Sequence, residues 1–160
     1  MLTPDRRTLL GYAAAGIAAA VTPRLFAQER ALEALTSITG GVTPIGRAER
    51  ADRLSRAQAM MRAQGIDALL IEPGASLIYY TGVRWWRSER LTAAVIPASG
   101  APIIVCPFFE KPSIDESLGI PAQVRVWQEH ESPHQLVAAF LKEKGLAKGR
   151  IGIEETVRYF

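Results

Sequence analysis

The sequence predicts an α/β domain in which a mixed β-sheet is flanked by helices. Three observations carry this reading. Short apolar runs alternate with stretches of helical periodicity, two neighbouring runs have the spacing of a hairpin, and the helical stretches are bracketed by cap and stop residues. A hairpin supplies an antiparallel pair, whereas strands separated by helices return by crossovers and run parallel.

The chain opens with a segment that reads as an address. Asp5-Arg6-Arg7-Thr8-Leu9-Leu10 precedes an alanine-rich apolar run, and a small residue stands at Ala27. A basic start, a short apolar core and a small-residue end make a signal peptide over residues 1–27. The paired Arg6 and Arg7 followed by leucines resemble a twin-arginine signal, with Asp5 in place of the usual Ser or Thr. The run is too short and too rich in alanine to span a bilayer, which takes roughly 20 strongly apolar residues. The expectation is a periplasmic or secreted protein that meets the membrane only transiently, during export.

The 160 residues have room for one domain, or one domain plus a tail, and 48% apolar with 22% charged residues is ordinary for a globular protein. The formal charge is only +3, and residues 1–27 carry a net two of those charges. No basic cluster remains to predict nucleic-acid binding. The single Cys106 rules out an intramolecular disulfide framework, and its apolar setting predicts a buried, inert thiol.

Residues 28–46 read as a linker, broken at Gly40-Gly41, with Thr43-Pro44 placed to cap the helix that follows. Arg47 to Gln64 are strong helix formers, Leu54, Ala57 and Met61 share one face, and Gly65 ends the helix. Asp67–Ile71 is a short apolar strand stopped by Glu72-Pro73-Gly74. Ser76 is placed to cap one helical turn through Tyr79-Tyr80, closed by Gly82. Leu91–Pro97 and Pro102–Cys106 are the hairpin strands. A helix follows over Pro112–Leu118, and then a strand over Val124–Trp127. Ser132-Pro133-His134-Gln135 is a capping box, and its helix carries Leu136, Val137, Phe140 and Leu141 on one face before Gly145. Arg150–Glu154 is the last strand, and the chain stops soon after it at Phe160. An apolar strand with no helix to cover it reads as a domain over residues 47–160 whose C-terminal end is incomplete.

One motif invites a metal assignment and fails on the proline inside it. His130-Glu131-Ser132-Pro133-His134 matches the zinc-protease pattern H-E-x-x-H, which needs both histidines one turn apart on a helix. Proline inside a helix costs roughly 3 kcal/mol, so the helix is expected to start at Pro133 and leave His130 and Glu131 in the preceding loop. Adjacent Glu154 and Glu155 in a strand point to opposite faces and make no pair. No phosphate loop, dinucleotide glycine pattern or nucleophile elbow occurs. The remaining candidate is the loop Arg84-Trp85-Trp86-Arg87-Ser88-Glu89-Arg90. Two tryptophans beside Arg84, Arg87 and Arg90 suit recognition of a partner or a small anionic group. The competing reading packs the tryptophans onto the domain's own core and leaves the arginines solvated.

From Arg53 to Glu155 the order of elements resembles the N-terminal domain of the creatinase/prolidase/Xaa-Pro aminopeptidase family. The residues that carry it are Arg53-Leu54, Met61, Gly65 to Ile71, Tyr79-Tyr80-Thr81-Gly82, Glu89-Arg90 and Arg150-Ile-Gly-Ile-Glu154. The resemblance implies a mixed sheet with helices on both faces, followed in full-length members by a "pita-bread" metallopeptidase domain. That second domain would supply two divalent ions (Mn, Co or Zn), so no catalytic or metal residue falls within residues 1–160, and this chain alone is expected to be inactive. The resemblance further implies a homodimer or higher homo-oligomer, with a peptide substrate reached through the missing domain. The loop Arg84–Arg90 is then the interface or substrate-rim candidate. Two alternatives stay open: a stand-alone binding or oligomerisation module, and the N-terminal part of a creatinase-like amidinohydrolase.

Overall fold

The computed structural model describes residues 35–155, so the signal segment with Arg6 and Arg7 lies outside the described residues. The elements run α1 (Arg47–Gln64), β1 (Ala68–Ile71), α2 (Ala75–Thr81), β2 (Ala93–Pro97), β3 (Ile103–Pro107), a 3-10 turn at Phe108–Glu110, α3 (Lys111–Ser117), β4 (Gln123–Trp127), α4 (Pro133–Glu143) and β5 (Ile151–Ile153). The five strands form one sheet in the order β4-β3-β2-β1-β5. β2 pairs antiparallel with β1 and β3, while β3–β4 and β1–β5 are parallel. This is the mixed sheet that one hairpin and several crossovers demand.

Side chains alternate across the sheet, and each face has its own helical cover. Ala94, Ile96, Ile104 and Cys106 lie in one cluster with Leu77 of α2 and Ile114 of α3, and Leu54 of α1 packs against it. Val95, Ile103, Val105 and Trp127 lie in the other, with Val137 and Phe140 of α4. Strands β2 and β3 are buried along their whole length because both of their faces are covered.

The helix ends show the local chemistry. Gly65 adopts φ 65° and closes α1, its N–H donating to the Arg62 carbonyl while Ile66 N–H donates to Met61. Gly82, at φ 83°, closes α2 with its N–H on the Ile78 carbonyl at 3.0 Å. Ser132 caps α4 by accepting the Gln135 N–H at 3.4 Å, with Pro133 in the first turn as its fixed φ allows.

Several expectations need correction. Thr43-Pro44 does not cap α1: the helix begins after Gly46, whose carbonyl takes the Arg50 N–H, while the Arg50 guanidinium reaches back to Ile45. Ser76 lies inside α2 rather than capping it, because Gly74 is the cap residue and its carbonyl accepts the Ile78 N–H. β2 starts at Ala93 instead of Leu91, since the Leu91 carbonyl is taken by the Trp127 indole and Thr92 donates to Glu110. β3 runs to Pro107, and α3 starts one residue early because the 3-10 turn leads into it. Asp67 precedes β1 and accepts the Arg150 N–H on its carboxylate at 2.7 Å. β5 ends at Ile153, so Glu154 and Glu155 lie beyond the strand whose alternation was to separate them.

Candidate functional site

The loop after α2 is fixed at its root and open at its crown. Thr81 donates to the Leu77 carbonyl and accepts the Val83 N–H, which ties the helix end to the loop start. Val83 is fully buried in the sheet core, and Trp85 packs against the same cluster. Alternation along this extended stretch then turns Arg84 and Trp86 outward. Trp86 is 90% exposed. The two tryptophans therefore divide the two readings between them: Trp85 is packing, Trp86 is surface.

The arginines divide as well. Arg84 is exposed. Arg87 is only half-exposed, and its Nε lies 3.5 Å from Oε2 of Glu72, a carboxylate buried just past the end of β1. Arg90 donates through Nε to Glu129 at 2.7 Å and pairs with Glu89, so its guanidinium is held above its ordinary pKa, chiefly by the Glu129 hydrogen bond. A short turn in which Ser88 accepts the Arg90 N–H sets that side chain's direction.

Arg84, Trp85, Trp86 and Arg87 line one groove with Pro73 and Ile78, about 810 Å³ in volume and predominantly apolar. Arg90 is not part of it. It opens instead on a smaller cavity of about 190 Å³ beside Glu72, Trp127 and His134. The five residues that the sequence groups together are thus placed four and one. Pro73, Ile78 and Glu72 had no functional reading in the sequence. Only the turn-former pattern pointed at Pro73, and nothing local distinguished Glu72 from any strand-ending charge.

The H-E-x-x-H segment is broken as proline demands. Glu131 closes a turn with Gln128, accepting that residue's N–H on its carboxylate at 2.7 Å. His130 lies before the helix and lines a groove of about 550 Å³, while His134 sits in the first turn of α4 and lines the cavity of Arg90. Among the described residues, no group of three or more His, Cys, Asp or Glu is placed to hold a metal ion. The donor set does not fit a two-ion centre. Cys106 is fully buried, and burial pushes its thiol from 9.0 up to about 12, which removes the thiolate that nucleophilic chemistry needs.

Comparison with known proteins agrees with this geometry. Residues 53–160 match the family model of the creatinase/prolidase N-terminal domain. The probable dipeptidase PepE of Mycobacterium tuberculosis is 40% identical over 93 residues, which cover 57% of this chain and 25% of that protein. The crystal structure of dipeptidase PepE from Mycobacterium ulcerans superposes with a TM-score of 0.61 at 37% identity, over 70% of this chain and 30% of the other. The N-terminal domain of Xaa-Pro dipeptidase from Lactobacillus brevis reaches the same TM-score at 22% identity over 66% of this chain and 79% of that one, a likeness of fold. The chain spans about a quarter of the length of the curated dipeptidase it matches. With two thirds of its residues inside the family model and the same five-stranded sheet, the chain belongs to the creatinase/prolidase N-terminal domain family.

Proposed function

We propose that this domain is the non-catalytic N-terminal part of an exported Xaa-Pro aminopeptidase or dipeptidase-like metallopeptidase, where it serves oligomerisation and substrate access. Its similarity to proteins named as dipeptidases supports the enzyme class. Two divalent ions (Mn, Co or Zn) would activate a water for attack on the peptide bond. The donors among the described residues do not fit that centre, so no chemical step runs through them.

What this chain contributes is a surface, and Trp86 carries the proposal. An indole 90% exposed loses much of its favourable burial unless something covers it. It stands on a rim held by fully buried Val83 and by Trp85, beside the cation of Arg84. Rigid aromatic anchors next to arginine are the residues that dominate protein interfaces. A second copy of the chain, or a peptide led past the rim, would find an apolar wall and a positive charge.

The test uses the longer polypeptide. Trp86→Ala is expected to leave the melting temperature unchanged, because the side chain touches little. It should weaken self-association, or raise KM with kcat held, by about tenfold, the usual effect of truncating an interface tryptophan. Sedimentation and steady-state kinetics read the two effects. Unchanged assembly together with unchanged KM would remove the loop from the function.

A further inference from the structure

We propose that the cavity at the carboxyl end of β1 is a binding site for a small primary ammonium group, with Glu72 as its anchor. Glu72 follows Ile71 directly and is only 7% exposed. An ionised carboxylate offers about four lone-pair sites, and its burial is costly unless donors fill them. Here the nearby charge is Arg87, 3.5 Å from Oε2 through Nε, and Oε2 accepts no hydrogen bond among the described residues. The carboxylate is balanced in charge, and its Oε2 is left without a hydrogen-bond donor among the described residues.

The same side chain lines the cavity of about 190 Å³, together with Glu89, Arg90, Leu91, Trp127 and His134. Arg90 is already engaged by Glu129 and Glu89. With their partners counted, the carboxylates of Glu72, Glu89 and Glu129 stand against the guanidiniums of Arg87 and Arg90, which leaves the surroundings of the cavity acidic by one charge. Leu91 and Trp127 form an apolar wall, and its polar atoms are committed to each other, with the indole N–H donating to the Leu91 carbonyl at 3.0 Å. An ammonium group brings the three donors and compact charge that the Glu72 oxygen lacks. The volume equals that of about six liquid waters, which limits the ligand to a small amine or the amino terminus of a peptide. The cavity adjoins the groove of Trp86 through Arg87 but does not contain Trp86, and the proposal does not depend on that residue's role.

Glycinamide tests the site on the full chain by nuclear magnetic resonance, with the Trp127 indole N–H as reporter. A saturable shift at constant ionic strength is expected, and N-acetylglycinamide, which has no ammonium group, should produce none. Glu72→Gln should weaken glycinamide binding by at least about tenfold. Triglycine amide separates the two sources: its binding assigns a peptide amino terminus, its exclusion a free small amine, and either upholds the ammonium site. Absence of a saturable shift, an equal response to the acetylated probe, or full affinity in Glu72→Gln overturns the proposal. If Glu72→Gln fails to fold, the acetylated probe on the unaltered chain decides.

Discussion

Gly82 shows how much one missing side chain can carry. Its φ of 83° lies in the left-handed region, and a Cβ there would meet Arg50 Nε at 2.9 Å and the Gly119 nitrogen at 3.2 Å. Gly119 faces the same arginine, since its own Cβ would lie 3.0 Å from Arg50 Cδ. The Gly119 N–H also donates to the Thr81 carbonyl at 2.8 Å, so the end of α2 and the segment after α3 close around the Arg50 side chain. Gly82→Ala combines backbone strain with an overlap on the Arg50 side chain and a tight approach to the Gly119 backbone, and is expected to cost about 2 kcal/mol. Thermal unfolding followed by circular dichroism measures it, and a melting temperature equal to that of the unaltered chain would refute the account. The substitution also displaces the root of the Trp86 loop, which begins at the next residue.

At the scale of elements, the edge strand β4 is tied to α4 by a bidentate pair. Arg125 donates to both Glu143 oxygens, at 2.9 and 2.7 Å, and its guanidinium lies 5.2 Å from the centre of the Phe140 ring. The Arg125 hydrogen bond is the main cause holding Glu143 below its ordinary pKa. A lowered carboxylate pKa adds stability above the unfolded value, and that stability is lost as pH falls through the folded value. Glu143→Gln should therefore melt below the unaltered chain near neutrality. The gap should close as the pH drops below about 4. High salt should narrow it as well, because the pair is partly solvated. A gap that persisted in acid would place the effect in something other than ionisation.

The whole molecule has two parts that answer to different physics. Residues 47–155 are held by a sheet buried from both sides. The leading residues lie outside the described residues, and we propose that they act as a linear export signal, which would be a property of sequence and not of packing. Replacement of Arg6 and Arg7 by lysine keeps the charge but not the guanidinium pair. We expect the protein then to remain in the cytoplasm, as read by cell fractionation. Continued export of the lysine form would rule out the twin-arginine route.

Much of the fold was legible because its cues are local. The span of α1, its end at Gly65, the proline start of α4 and the hairpin all follow from propensity, capping and spacing within a few residues. Proline alone sufficed to break the His130–His134 motif, since its ring is incompatible with a helix interior wherever the helix packs. The first residues of β2 were not legible: Leu91 and Thr92 have strand character, yet Trp127 and Glu110, far along the chain, claim their polar groups.

The candidate site shows the same division. The sequence by itself determined that an arginine- and tryptophan-rich loop follows a glycine-closed helix, and that Pro133 starts a helix which leaves His130 in the preceding loop. Which tryptophan faces outward was decided by the tertiary structure, because both have the same propensities and only the sheet core selects Trp85. The pairing of Arg87 with Glu72 was decided there too, since fourteen intervening positions separate them in the chain and only the return of the loop over β1 brings them within 3.5 Å. Local chemistry sets elements and their ends. Burial of distant residues against one another sets which side chains are left to act.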